Sequence, residues 1–97
     1  MNDANRVLDD VLGALADPTR RSIYRILDAT PGLTTGQLAD ATRGMTRWGV
    51  MKHLAVLRRA GLVQTLHDGR RRRHYSDGGR LALVREWLAD VERSDGR

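Results

Sequence analysis

The stretch that decides the fold is residues 33 to 62, which read LTTGQLADATRGMTRWGVMKHLAVLRRAGL. Near its start, Thr34 and Gln37 have the spacing of a capping box, in which each side chain bonds the backbone N–H of the other residue. Leu33 and Leu38 occupy the two positions of a hydrophobic staple around this cap. The pattern predicts a short helix over about residues 34 to 42.

A second helix is predicted directly after a tight turn at Arg43-Gly44. Thr46 is expected to cap its start, and Gly61 to end it in a Schellman-type stop. The residues that recur at helical spacing and should face inward are Val50, Leu54 and Leu57. Two short helices joined by a turn that contains Gly form a helix-turn-helix pattern, here over about residues 34 to 60.

Outward from this pattern, the sequence predicts two helices before it and a hairpin and one helix after it. The first helix, at about residues 5 to 15, has an apolar stripe, and Asp17-Pro18 starts the next helix with an N-cap and a proline. Asp68-Gly69 lies between two extended runs and predicts a hairpin over about residues 62 to 76. A last amphipathic helix is expected at about residues 79 to 93.

The fold class that follows is mostly α with a small β-hairpin, an α+β arrangement in the order α-α-α-α-β-β-α. This is the layout of a winged helix-turn-helix, in which the hairpin is the wing. With 97 residues and no Cys, the chain is expected to form a single domain over residues 1–97 without disulfides. It has no long apolar stretch, and its start is unlike a secretory signal, so a cytoplasmic location is expected.

Positive charge is concentrated in one part of the chain. The formal net charge of +5 arises from 17 Lys and Arg against 12 Asp and Glu. Residues 43 to 76 alone hold eight Arg, one Lys and one Asp, a local charge of +8, whereas the flanking segments are slightly acidic. Such a block on the second helix of the motif and the wing is typical of a surface that binds a polyanion, most often nucleic acid.

Candidate DNA contacts follow from the way such motifs dock. The N-terminal residues of a recognition helix face base edges in the major groove, where Arg and Lys can donate to guanine and apolar side chains can contact thymine methyls. Wing arginines are expected at the backbone or in the minor groove, although alternation in a strand points some of them to opposite faces. The resulting candidates are Thr46, Arg47, Trp48, Met51, Lys52, His53, Arg70, Arg71 and Arg72.

Several stretches of the chain together are characteristic of one known family: Leu15–Arg21, Val50–Leu54, Leu57–Val63, Gly69-Arg70 and Tyr75. In these residues the chain resembles the ArsR-type bacterial transcriptional repressors. Residues 45 to 54 look closest to the subset associated with START-like ligand-binding domains. The resemblance implies a homodimeric repressor that binds double-stranded DNA at a palindromic operator.

The metal-sensing members of this family carry a Cys-containing motif before the recognition helix, or paired His and acidic ligands on the last helix. This chain has no Cys and no histidine after His74, so neither metal site and no cofactor is expected. A metal- or small-ligand-responsive sensor stays open as an alternative. Its only candidate ligand residues are His67, His74, Asp90 and Glu92. A winged-helix protein-interaction module that binds no DNA is a further alternative.

Several side chains have two possible roles at this stage. Trp48 either packs at the start of its helix or reads bases, and Trp87 belongs to a core or an interface rather than to a ligand-stacking platform. The three histidines lie within or beside the basic block, where phosphate contact or plain exposure is expected. An enzyme is not expected, because the sequence has no Gly-rich phosphate loop after a strand and no Ser/His/acid spacing of a known type.

The first and last helices carry more apolar surface than so small a domain covers by itself. They are therefore expected to form a two-fold interface, with completion of the monomer core as the alternative. A symmetric dimer would place two recognition helices about one DNA turn apart, roughly 34 Å, and so bind an inverted repeat. The predicted interface residues are Val7, Leu8, Val11, Leu12, Leu81, Val84, Trp87, Leu88 and Val91.

Overall fold

The computed structural model describes residues 3–95; both ends of the expected domain, residues 1–2 and 96–97, lie outside the described residues. Its elements are α1 (Asp3–Leu15), α2 (Pro18–Ala29), β1 (Leu33–Thr34), α3 (Thr35–Ala41), α4 (Arg47–Arg59), β2 (Val63–Asp68), β3 (Arg71–Ser76) and α5 (Leu81–Asp95). The predicted α+β class and the order of its seven elements are confirmed. The short strand β1 is an addition that the sequence did not predict.

The helices of the central motif begin where the sequence predicts. Thr34 Oγ1 accepts a hydrogen bond from the Gln37 backbone N–H at 3.2 Å, and the Thr34 N–H donates to Gln37 Oε1 at 2.9 Å, which completes the capping box of α3. Thr46 caps α4 in the same way, with its Oγ1 3.0 Å from the backbone nitrogen of Gly49. Local side-chain chemistry therefore fixes both starts.

The end of α4 is equally well defined. Gly61 adopts a φ of +76°, the left-handed conformation that favours glycine. Its N–H donates to the Arg58 carbonyl at 2.9 Å, and the Leu62 N–H donates to the Leu57 carbonyl at 2.9 Å. These two bonds make a Schellman motif, which confirms the predicted stop and turns the chain into β2.

The wing is part of a three-stranded antiparallel sheet in the order β1-β3-β2. Asp68 pairs with Arg71, so a two-residue turn, Gly69-Arg70, closes the hairpin. Gly69 has a φ of +63° and Arg70 does not share this conformation, a combination typical of a type II′ turn. The hairpin is confirmed, with glycine at the first central position of the turn.

β1 attaches the wing to the helix-turn-helix. Its two residues pair with β3 immediately before α3 begins, and the Gly32 N–H adds a bond to the His74 carbonyl at 2.9 Å. The first turn of α3 therefore lies directly beside the centre of the wing.

The core lies between α2, α3, α4 and the base of the wing. Its fully buried side chains include Ile23, Leu27 and Leu38, together with the predicted stripe of α4, Val50, Leu54 and Leu57. The helix α1 contributes Val11 and Ala14, whereas α5 packs along α1 and has no fully buried residue. None of the described helices is long and apolar enough to cross a membrane.

Candidate nucleic-acid interface

The exposed side of α4 is opposite the stripe that anchors it in the core. Because Val50, Leu54 and Leu57 point inward, the remaining faces of the helix carry the predicted contact residues. Thr46, Arg47, Trp48, Met51 and Lys52 are exposed, and His53 is partly buried. The fold thus presents the N-terminal half of α4 to solvent, as a recognition helix requires.

Trp48 is 68% exposed, so it does not serve as core packing at the start of α4. The ammonium of Lys52, one turn further on, lies 4.2 Å from the centre of the Trp48 ring. This cation–π contact holds the two side chains together on the outer face of the helix. Trp48 and Lys52 therefore form one preassembled apolar and cationic unit, which suits contact with base edges and methyl groups.

The neighbouring face of this helix, which carries Arg47 and Met51, opens onto a cleft that we call the wing cleft. It is about 680 Å³ in volume and lies between the first turn of α3, the start of α4 and the wing turn. Its cations are Arg47 on α4 and three wing residues, Arg70, Arg71 and Arg72. Among residues 3–95, Asp40 is the only residue with a carboxylate that lines it. The predicted helix and wing residues therefore meet around one positively charged opening.

Close approach of α3 and α4 positions Arg47 in this cleft. Gly36, in the first turn of α3, has no side chain, and a Cβ built there would lie 2.8 Å from Nη2 and 3.1 Å from Cζ of Arg47. The guanidinium therefore occupies space that any larger residue would take. Sequence reasoning missed the part that Gly36 plays, because a glycine inside a short helix has no pattern of its own.

The four consecutive wing arginines separate into two roles. Arg70, Arg71 and Arg72 are exposed, whereas Arg73 is partly buried. Nε of Arg73 donates to the Asp68 carboxylate at 2.8 Å, and Nη1 donates to the Gly32 carbonyl at 2.9 Å. This hydrogen bond from Arg73 lowers the pKa of Asp68. Arg73 thus ties the wing to the segment before α3, which agrees with its omission from the predicted contacts.

His74 corrects an expectation from the sequence. It is 1% exposed, so neither phosphate contact nor plain exposure describes it. Its Nε2 lies 2.8 Å from Thr35 Oγ1, and its Nδ1 lies 2.9 Å from Thr65 Oγ1. Burial first, and then the positive charges of Arg58 and Arg72, lower the pKa of His74 from 6.5 to about 4. The ring is therefore neutral near pH 7 and links α3 to both strands of the wing.

A metal clip between His67 and His74 is not assembled in the part of the chain that the structure describes. Both ring nitrogens of His74 already contact threonine hydroxyls, and His67 pairs across the hairpin with Arg72. Among residues 3–95, no group of three or more His, Cys, Asp or Glu side chains is placed to hold a metal ion.

The terminal helices place the predicted interface residues at three levels of burial. Val11 is 0% exposed and belongs to the core, so its assignment to an interface is corrected. Four of the others, Val7, Leu8, Leu81 and Val84, are partly buried. The remaining four are exposed and form what we call the apolar patch: Leu12, Trp87, Leu88 and Val91.

Comparison with known proteins gives consistent results. A family model described as a helix-turn-helix domain matches residues 15–65. The chain is 44% identical over 79 residues to the HTH-type transcriptional regulator CmtR of Mycobacterium tuberculosis, a match that covers 80% of this chain and 64% of CmtR. This chain thus spans just under two thirds of the length of the curated relatives that it matches.

Two solved structures are similar over nearly all of the chain. A crystal structure of an ArsR family transcriptional regulator matches with a TM-score of 0.83 and 31% identity, covering 96% of this chain and 94% of that one. An ArsR-like transcriptional regulator from Rhodococcus sp. RHA1 matches with a TM-score of 0.86 and 28% identity, covering 100% of this chain and 88% of that one.

Proposed function

Because this chain belongs to the ArsR family of helix-turn-helix transcriptional regulators, we propose that it is a sequence-specific DNA-binding repressor that acts as a homodimer in the bacterial cytoplasm. Each protomer is a single winged helix domain that places α4 in the major groove and the wing at the backbone or the minor groove. The operator is an inverted repeat with half-sites about one DNA turn apart. The role is one of binding, without catalysis or a cofactor.

The observation that carries the proposal is the wing cleft. Four exposed arginines from α4 and the wing surround it, and none of them has a carboxylate within salt-bridge distance among residues 3–95. Duplex DNA carries one negative charge per about 1.7 Å of its axis, so it can neutralise several cations along a continuous surface. Arginine forks are well matched to phosphate oxygens.

The two exposed faces of α4 are assigned to different parts of the DNA. Arg47 lies in the wing cleft with the wing arginines, so we assign it to the phosphate backbone at the edge of the groove. Trp48 and Lys52 lie on the outer face of the helix, so we assign them to base edges. Thr46 and Met51 are exposed and His53 is partly buried on the same half of α4, so we assign the remaining helix contacts to them.

The wing is tested by the double variant Arg70→Ala with Arg71→Ala. We expect weaker binding to all duplexes, and a slope of log K against log salt that is smaller by about one unit for each lost phosphate contact. The measurement is fluorescence anisotropy over a salt series, on a random-sequence duplex and on an operator selected from a random pool.

The matched control is Arg85→Ala, which removes an exposed arginine of α5 that does not line the cleft. It should leave the salt slope unchanged. A double wing variant that keeps the wild-type slope would remove the wing from the interface. If the wild-type chain binds neither duplex at modest salt, the proposed function itself fails, and the protein-interaction alternative gains.

A further inference from the structure

We propose that a second cationic groove, on the side of α4 away from the wing, binds the phosphate backbone of the DNA strand that the wing does not reach. This groove, which we call the α2 groove, lies between α2 and the turn that joins α3 to α4 and is about 590 Å³ in volume. The inference rests on the proposed function and adds a second line of contact to it.

The chemistry of the α2 groove suits a phosphodiester chain. Arg25 and Arg43 are its cations, and neither has a carboxylate within salt-bridge distance among residues 3–95. Ser22 adds a hydroxyl that can donate to a phosphate oxygen. Ile26 and Met45 form a partly buried apolar floor, against which the carbon face of a deoxyribose can pack.

The backbone conformation of Arg43 is the second observation. It has a φ of +45°, and it is the only residue other than glycine with a positive φ in the described part of the chain. Arg43 follows Thr42, the C-cap of α3, and therefore holds the position where helices most often place glycine. An arginine held there despite an unfavourable backbone conformation indicates that its side chain is used.

The location of the α2 groove assigns it to one strand. Arg47 and Met51 of α4 line the wing cleft, whereas Lys52, Val56 and Arg59 line a smaller groove on the α2 side, next to Arg20. α2 therefore lies against the side of α4 that carries Arg59, and the α2 groove is formed by the same helix α2 and by the turn that precedes α4. A helix in the major groove, which is about 12 Å wide, has one phosphate backbone on each side. If the wing follows one backbone, the α2 groove faces the other.

Arg43→Gly gives a clean test, because glycine removes the cation and favours the same backbone conformation. We expect a melting temperature equal to or above that of the wild type. The slope of log K against log salt should fall by about 0.9, and affinity should fall roughly fivefold near 0.15 M salt, equally on selected and random duplexes. Arg43→Lys should restore the slope, and Arg85→Ala should not change it.

Ethylation interference then tests the assignment to a strand. Within one half-site, the phosphates whose ethylation no longer weakens binding of Arg43→Gly should lie on the strand opposite those affected in the double wing variant. An unchanged slope for Arg43→Gly, alongside a reduced slope for the wing variant, would overturn the inference and leave the proposed function intact. Phosphates of one strand affected by both variants would overturn the assignment to opposite strands.

Discussion

His74 joins the wing to the first turn of α3 through its two ring nitrogens. One nitrogen bonds Thr35, which lines the wing cleft, and the other bonds Thr65 of β2. A neutral imidazole has one donor and one acceptor nitrogen, and a threonine hydroxyl can serve either, so both contacts are satisfied without a charge. His74 therefore ties both strands of the wing to the first turn of α3.

The low pKa of His74 predicts a loss of stability in acid. Its pKa is about 4 in the folded protein and about 6.5 in the unfolded chain. As the pH falls through 6.5, His74 binds a proton in the unfolded chain, whereas in the folded protein it stays neutral until about pH 4. The free energy of unfolding should therefore decrease over this range, by up to about 3 kcal/mol.

His74→Gln should remove this component, so that its stability changes less between pH 7 and pH 4 than that of the wild type. The measurement is urea unfolding followed by circular dichroism across that range. His67→Gln, which removes an exposed histidine of the same hairpin, should keep the wild-type profile. Parallel pH profiles for the wild type and His74→Gln would contradict the role assigned to the buried ring.

At the scale of elements, the sequence predicts best what local chemistry determines. Two features depend on residues within five positions of one another: the capping box of Thr34 and Gln37, and the Schellman stop at Gly61. Both could therefore be predicted from the sequence. The strand β1 could not be predicted, because two residues are too few to show the alternating hydrophobic pattern of a strand. Its partner residues also lie far along the chain, since Leu33 pairs with His74. Elements defined by distant partners need the tertiary structure.

For the candidate site, too, the sequence predicts features that depend on neighbouring residues and misses those that depend on distant ones. The concentration of positive charge predicted that the candidate contacts lie on α4 and the wing, and the structure brings Arg47 and the wing arginines together around the wing cleft. It did not show that Arg73 bonds Gly32 and Asp68, or that Arg43 lines a groove with Arg25 of α2. Those roles depend on how the hairpin and α2 pack against the central motif, which no spacing within one element encodes.

The approach of α3 to α4 predicts an effect of Gly36→Ala on DNA binding without an effect on folding. Alanine favours a helix more than glycine, by about 1 kcal/mol, so stability should be equal or higher. The new methyl group must displace the Arg47 guanidinium, which lies within 3 Å of its position. We expect affinity for DNA to fall by up to roughly fivefold, as for one lost phosphate contact.

Gly13→Ala provides the control for this experiment, because it makes the same change within α1 where a Cβ would meet nothing within 4 Å. It should leave DNA binding unchanged. Anisotropy titrations and thermal melts of both variants separate the two effects. Wild-type affinity in Gly36→Ala would show that the position of Arg47 is unimportant for binding.

At the scale of the whole molecule, the cationic and apolar surfaces lie on different elements. The cations border α4 and the wing, whereas the apolar patch lies on α1 and α5. Three of its members, Trp87, Leu88 and Leu12, are 47%, 46% and 41% exposed. Outside the patch, the large apolar side chains that are exposed among the described residues, Trp48, Met51 and Leu66, lie on α4 and the wing. A second copy that covers this patch by two-fold symmetry would leave the proposed DNA-binding surface of each copy free.

Leu88→Glu tests this arrangement, since it places a charge in the apolar patch without disturbing the core. We expect sedimentation equilibrium to give a mass near the monomer value of 10.9 kDa, where the wild type gives twice that mass. Affinity for a selected inverted repeat should fall by about a hundredfold or more, because each half-site is then bound separately. Leu66→Glu, at the 60% exposed leucine of the wing, is the matched control and should stay dimeric. The assignment of the dimer interface to α1 and α5 would be wrong if the wild-type chain sediments as a monomer, or if the Leu88→Glu variant remains dimeric.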